Sequence, residues 1–67
     1  MMTIRVNDNT LEINNDLNIL QLLERLKFPT HGIAVAINEN IISRELWMSK
    51  TFTENDHILI IQATQGG

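Results

Sequence analysis

Residues 2–14 have the sequence MTIRVNDNTLEIN, which predicts a β-hairpin near the start of the chain. Apolar and polar residues alternate through residues 2–6 and again through residues 10–14, which is the period of a strand with one buried face. Between the two runs, residues 7–9 are Asn-Asp-Asn, residue types that favour a tight turn between antiparallel strands. The hairpin therefore has one apolar face that belongs to a core.

A single helix is predicted directly after the hairpin. Asn18 and Gln21 have the spacing of a capping box, in which each side chain accepts a hydrogen bond from the other residue's main-chain N–H. The helix is expected to span residues 19–27 and to end before Pro29 and Gly32. Its apolar residues form one stripe, made of Ile19, Leu22, Leu23 and Leu26. One face of the helix therefore packs on a core.

Two strands and a polar connection are predicted in the middle of the chain. Residues 33–38, IAVAIN, place large apolar side chains on one face and alanines on the other, so we expect this strand to be buried on both faces. A turn leads to a short strand over residues 41–43, and residues 44–49 form a polar connection with one helical turn. Trp47 anchors this connection, because a large aromatic side chain stabilises a fold mainly through its burial.

The last predicted strand, residues 57–63, is apolar on both faces. Successive side chains of a strand point to opposite sides. One face carries Ile58 and Ile60, and the other carries Leu59, Ile61 and Ala63. One set belongs to the core. The other set either packs beneath the connection over residues 44–52 or forms an uncovered docking patch, and periodicity alone does not choose between them.

The element order β-β-α-β-β-β places the chain in the α+β class. A hairpin, one helix and then a central strand are typical of the β-grasp (ubiquitin-like) fold, a mixed sheet of four to five strands with one main helix crossing one face. The first and last strands are expected to pair in parallel at the sheet centre, while the second face stays partly open. We expect residues 1–64 to form this domain and residues 65–67 to form a flexible tail.

Composition narrows the classes of partner. The chain has 67 residues, no cysteine and a formal net charge of −3, and its basic residues are scattered. Nucleic acid is therefore not an expected partner. The longest apolar run, residues 33–37, is too short to span a bilayer, and residues 1–5 lack the apolar stretch of a signal peptide. We expect a cytoplasmic protein that does not bind membranes.

The residues predict no catalytic set within the chain. There is no Ser-His-Asp arrangement, no phosphate-binding loop and no metal-ligand spacing. His31 is expected in a loop and His57 at the start of a strand, and neither is assigned a role. We therefore expect the chain not to be an enzyme and to bind no cofactor or metal.

The last two residues, Gly66-Gly67, follow closely on the last predicted strand. Because glycine lacks a Cβ atom, such a segment fits through a passage too narrow for side chains, although an idle frayed end is the alternative. A terminal carboxylate is ionised at neutral pH and resists nucleophiles until one oxygen becomes a leaving group. Attack on the α-phosphorus of ATP gives an acyl-adenylate that accepts a thiol, a persulfide or an amine. A separate activating enzyme would supply the phosphate-binding site and the metal.

Five segments, spread over essentially the whole chain, resemble the sequence of a known protein family. They are residues 18–26, residues 34–38 with Ile41, the stretch Arg44-Glu45-Leu46-Trp47, residues 56–61, and Gly66-Gly67. Together they resemble the ThiS family, the ubiquitin-like sulfur carriers of thiamine biosynthesis, whose R-E-x-W motif the third segment matches. The resemblance implies that a ThiF-like adenylating enzyme uses ATP with Mg to activate Gly67. Sulfur from a cysteine desulfurase then gives a thiocarboxylate, which the thiazole synthase ThiG uses to build thiazole phosphate.

The resemblance also implies which residues meet these partners. Gly67 is the modified residue, and Gly66 and Gln65 lie in the channel of the partner enzyme. The free chain is expected to be a monomer. The face of the last strand that docks is the one with Leu59, Ile61 and Ala63.

Three other functions stay open at this point. The small subunit of molybdopterin synthase shares the fold and the Gly-Gly end, but it often has prolines before its tail, and residues 60–65 have none. A ubiquitin-type modifier would instead join Gly67 to lysines of other proteins. The third alternative is a β-grasp interaction module with an idle tail.

Overall fold

The computed structural model describes residues 1–62, which form a five-stranded sheet and one α-helix. The elements in chain order are β1 (Met2–Val6), β2 (Asn9–Ile13), α1 (Ile19–Arg25), β3 (Ile33–Ile37), β4 (Asn40–Ile41), a 3₁₀ turn (Arg44–Leu46) and β5 (His57–Gln62). This order confirms the predicted arrangement. The predicted domain boundary at residue 64 and the tail lie outside the described residues.

The sheet has the strand order β2-β1-β5-β3-β4. β1 and β5 are parallel, with Arg5 in register with His57 and Val6 with Ile58. The other neighbours are antiparallel. The prediction that the first and last strands pair in parallel at the centre is therefore confirmed.

The start of α1 is set by local hydrogen bonds and by the connection after β4. The Asn18 side chain accepts from the N–H of Gln21 at 2.8 Å, and the Gln21 side chain accepts from the N–H of Asn18 at 3.0 Å, so the capping box is confirmed. The Asn18 amide also donates to the carbonyl oxygen of Met48 at 3.0 Å. The N–H of Leu20 donates to the carbonyl oxygen of Trp47 at 3.1 Å. The helix start is thus tied to the distant polar connection.

The end of α1 was predicted wrongly. The helix ends at Arg25, and Lys27, expected inside it, has a φ of 64°. The N–H of Phe28 donates to the carbonyl of Leu23 and that of Lys27 donates to the carbonyl of Glu24, which are the two bonds of a Schellman motif. Because this closure usually uses glycine, a lysine at the position gives no sequence signal.

The fourth strand also differs from its prediction over residues 41–43. Asn38 and Glu39 form a two-residue loop with φ of 51° and 74°, which puts Asn40 opposite Ile37 and starts β4 one residue earlier. The main-chain pairing ends with Ile42, whose N–H donates to the carbonyl of Val35. The chain then turns into the 3₁₀ segment.

The core lies between the sheet and α1. Every strand except β4 contributes to it, together with α1 and the connection before β5. Its residues are Met2, Ile4, Val6, Ile13, Ile19, Leu22, Leu23, Val35, Ile37, Trp47, Phe52, Ile58 and Ile60. The indole N–H of Trp47 donates to the carbonyl of Ile42 at 3.2 Å, which confirms the predicted anchor. In β3, Val35 to Ile37 are buried as expected, whereas Ile33 and Ala34 are only partly buried.

We expect Asn18→Ala to lower the free energy of unfolding by about 1 to 2 kcal/mol, because it removes the helix cap and the bond to the Met48 carbonyl. Urea denaturation followed by circular dichroism measures the loss. Asn15→Ala is the matched control, since the exposed Asn15 side chain makes no hydrogen bond within residues 1–62. Equal midpoints for the two variants would contradict the capping argument.

Candidate functional site

The two faces of β5 have different surroundings. Ile58 and Ile60 are buried against the helix side of the sheet. Leu59 and Ile61 point the other way, and the two residues are 45% and 49% exposed. The connection after β4 places Trp47 in the helix-side core, so residues 1–62 leave the second face of β5 uncovered. The alternative in which both faces are internal is therefore wrong for Leu59 and Ile61.

The register of the sheet places more apolar residues beside Leu59 and Ile61. On β3, Ala36 lies opposite Leu59 and Ala34 lies opposite Ile61, and residues in register project to the same face. On β4, Ile41 lies opposite Ala36 and is 71% exposed. These five residues share one apolar face across three strands, which we call the open-face patch; Leu59, Ile61 and Ile41 are its exposed members, whereas Ala36 is buried. Because alanine is small, the three larger side chains project beyond it.

The remainder of the open face is polar. Arg5 on β1 is in register with His57 on β5 and with Thr10 on β2, and Thr3 is in register with Glu12. Charged and hydroxyl side chains therefore border the open-face patch along the β1 side. An apolar centre with a polar border is the arrangement of a protein-binding surface.

Sequence reasoning identified Leu59 and Ile61 but missed Ile41 and the two alanines as neighbours of these residues. The alternation within β5 placed this pair on one face, and the resemblance to the ThiS family indicated that this is the face that docks. The contribution of Ile41 depends on the two-residue loop at residues 38–39, which sets the register of β4 on β3. Asn38, at the first position of this loop, was the sequence signal that could have predicted a two-residue loop.

Two asparagines hold the backbone of β5 from opposite sides. The Asn7 side-chain oxygen accepts from the N–H of Ile60 at 2.8 Å, and the Asn7 amide donates to the Ile60 carbonyl at 3.3 Å. The Asn38 side-chain oxygen accepts from the N–H of His57 at 3.0 Å, and its amide donates to the Asp56 carboxylate at 2.8 Å. These bonds tie both hairpin loops to the strand that carries the patch.

Four of the predicted site residues lie outside the described residues. They are Ala63, Gln65, Gly66 and Gly67. The structure describes β5 as far as Gln62, so the open-face patch lies on the strand that leads directly to them.

The two histidines lie apart in the structure. The Nδ1 atom of exposed His31 is 3.2 Å from an Arg44 guanidinium nitrogen. The Nε2 atom of His57 is 3.8 Å from a carboxylate oxygen of Asp8 at the surface. Within residues 1–62, no three His, Cys, Asp or Glu side chains form a group that could hold a metal ion. In the same part of the chain, no helix has the length and apolar character needed to cross a membrane.

A mixed sheet with one helix on one face and the chain leaving from a central strand defines a protein of the ubiquitin-like β-grasp class. Similarity to solved structures supports this class. A crystal structure of the thiamine biosynthesis protein ThiS from Geobacter metallireducens matches with a TM-score of 0.82 and 25% identity, covering 98% of this chain and 100% of that one. An NMR structure of a thiamine biosynthesis protein from the same organism has a TM-score of 0.76 and 25% identity, covering 98% and 88%. The predicted fold class is confirmed.

Sequence comparison defines the family within that class. The model of the ThiS family matches residues 2–67. The chain is also 35% identical over 66 residues to the sulfur carrier protein ThiS of Escherichia coli (strain K12), covering 98% of this chain and 100% of that protein. The chain therefore belongs to the ThiS family, as its sequence segments predicted.

We expect Ile61→Glu to change the free energy of unfolding by less than about 1 kcal/mol, because the side chain is already half exposed. Ile60→Glu, one residue away, should cost about 3 kcal/mol or more, since it would bury an unpaired charge in the core. Thermal and urea unfolding of the two variants test the assignment of faces. Similar losses of stability in both would show that Ile61 is a core residue.

Proposed function

We propose that this chain carries sulfur, as a thiocarboxylate on Gly67, for the synthesis of the thiazole phosphate of thiamine. The observation that carries the proposal is the family match over residues 2–67, which includes the Gly66-Gly67 pair. The curated relative from Escherichia coli is named a sulfur carrier protein, and the related solved structures are of thiamine biosynthesis proteins. The exposed open-face patch on β5, the strand that leads to Gly67, supports the same function.

The chemistry begins with the Gly67 carboxylate. Its oxygen attacks the α-phosphorus of ATP, pyrophosphate leaves, and a mixed anhydride with AMP results. A persulfide sulfur derived from a cysteine desulfurase attacks the carbonyl carbon and displaces AMP, giving an acyl disulfide. A thiol then cleaves the S–S bond by exchange, and the sulfur stays on Gly67 as a thiocarboxylate. Every step takes place at the Gly67 carboxyl group, and the partner enzymes supply the catalytic side chains.

In this scheme the chain is a protein co-substrate. A ThiF-like adenylating enzyme binds ATP and Mg, and thiazole synthase, ThiG, takes the sulfur from the thiocarboxylate. The carrier binds no cofactor and acts as a monomer in the cytoplasm. Gly66 and Gln65 occupy the narrow channel that leads to the partner's active site, where glycine at residue 66 avoids a steric clash.

The open-face patch is the proposed docking surface for both partner enzymes. Leu59 and Ile61 are half exposed, and with Ile41 they make an apolar area on a chain whose other described strands have polar residues on this face. Exposed apolar patches of this kind mark protein-binding sites. Ala63, which lies outside the described residues, belongs to the proposed surface as well. Docking through β5 would bring Gly67 to the partner in a defined direction.

Incubation with ATP, Mg, a ThiF-like enzyme, a cysteine desulfurase, cysteine and a thiol reductant should raise the intact mass by the difference between sulfur and oxygen. Mass spectrometry of the whole chain measures this. A chain lacking Gly67 should fold normally but show no gain, because the terminal residue contributes little to packing. Lysine-linked conjugates in a cell extract would instead support a modifier, and an unchanged mass of the full chain would refute sulfur loading.

Ile61→Glu should raise the KM of the adenylating enzyme for this chain by about tenfold or more, because a charge at the centre of an apolar interface is poorly solvated. Pyrophosphate release measures the rate. Leu46→Glu is the matched control, since Leu46 is also 49% exposed but lies in the 3₁₀ turn and is not one of the residues of the open-face patch. An equal KM for the two variants would contradict docking through the patch.

A further inference from the structure

Asn7 and Asn38 occupy equivalent positions in two different hairpins. Each is the first residue of a two-residue loop, and in each loop both residues have positive φ: 48° and 71° at Asn7 and Asp8, and 51° and 74° at Asn38 and Glu39. Such type I′ loops favour asparagine because its side chain tolerates this conformation. The two loops flank β5, one beyond β1 and one beyond β3.

The Asn7 side chain continues the pairing of β1 with β5 after β1 has ended. The main-chain N–H of Asn7 donates to the carbonyl of Ile58 at 3.0 Å, as a regular parallel ladder requires. The next bond of such a ladder would run from the N–H of Ile60 to the main-chain carbonyl of residue 7. In this structure the side-chain oxygen of Asn7 accepts that bond, at 2.8 Å. The amide of Asn7 also donates to the Ile60 carbonyl, so it acts like one more strand residue.

Asn38 makes the corresponding contact at the start of β5. Its main-chain N–H donates to the His57 carbonyl at 2.8 Å, and its side-chain oxygen accepts from the His57 N–H at 3.0 Å. Its amide donates to Asp56, a buried carboxylate. Removing Asn38 would therefore also disturb a buried group, whereas Asn7 contacts β5 through main-chain atoms of Ile60. Asn7 is the better residue for a test of strand position.

We propose that Asn7 is a positioning residue, whose side-chain amide holds the Ile60 backbone so that β5 directs the C-terminal residues toward the partner's active site. The proposal rests on the proposed function of Gly67. Ile60 lies seven positions before Gly67, and a segment of that length spans at most about 25 Å. A shift of the backbone at Ile60 therefore changes the point from which the following residues extend, and a misplacement of about 1 Å can already reduce a rate strongly.

Hydrogen exchange of the free chain tests the contact without any partner. Asn7→Gly permits the same positive φ but removes the amide, and it should speed exchange of the Ile60 N–H by about fivefold or more relative to core amides such as that of Leu22. Asn7→Asp retains the acceptor for the Ile60 N–H but places an oxygen opposite the Ile60 carbonyl, so it should accelerate exchange less than Asn7→Gly does. An unchanged rate in Asn7→Gly, or an equal acceleration of all amides, would overturn the positioning role.

Asn55→Gly is the matched control for this substitution. Asn55 also has a positive φ, 70°, and its side chain makes no hydrogen bond within residues 1–62. It lies in the turn before β5, so the variant should leave the exchange of the Ile60 N–H unchanged. A similar acceleration in Asn55→Gly would show that any loosened turn frees β5, and the specific role of Asn7 would be refuted.

Adenylation kinetics connect the contact to function. Asn7→Gly should lower kcat for pyrophosphate release by about fivefold or more with little change in KM, because the open-face patch is intact but the carboxylate is less well aimed. Asn55→Gly should retain the original kcat, and Asn7→Asp should lower it less than Asn7→Gly does, because it keeps one of the two bonds to Ile60. An unchanged kcat in Asn7→Gly would refute the positioning role. Failure of the original chain to be adenylated would instead refute the proposed function and leave the exchange result valid.

Discussion

The parallel pairing of β1 with β5 is the interaction on which the remaining structure depends. It joins residues from opposite ends of the chain, with Arg5 in register with His57 and Val6 with Ile58. Closing such a long loop costs conformational entropy, which the burial of Val6 and Ile58 against the helix offsets. The pairing makes β5 an interior strand between the two hairpins. The exposure of Leu59 and Ile61 on the face opposite the helix depends on that central position.

A second constraint is that one short helix covers one side of a five-stranded sheet. The seven residues of α1, with Trp47 and Phe52, close the helix-side core. The described residues leave the other side open, and there β5 presents Leu59 and Ile61 beside the alanines of β3. The open-face patch thus needs no special residue type. It arises because a central strand is apolar on both faces while the chain covers only one of them.

The sequence predicted those features that depend on local contacts. The start of α1 followed from Asn18 and Gln21, which bond each other's main chain across one helical turn. Its end did not, because Lys27 adopts a conformation that sequence rules assign to glycine. The role of Asn7 was also not predicted. A side chain that replaces a main-chain carbonyl toward β5 can be recognised only after the neighbouring strand is known.

By itself, the sequence determined the element order, the apolar stripe of the helix, the two-faced character of β5 and the resemblance that led to the ThiS family. These properties depend on residue types at short spacing, where strand and helix periods are directly visible. Only the tertiary structure decided which face of β5 is covered, that Ile41 joins Leu59 and Ile61, and that Asn7 bonds Ile60. Those outcomes depend on the register between strands that are distant in sequence. That register is set by the geometry of the loops and by which apolar side chains are buried in the core.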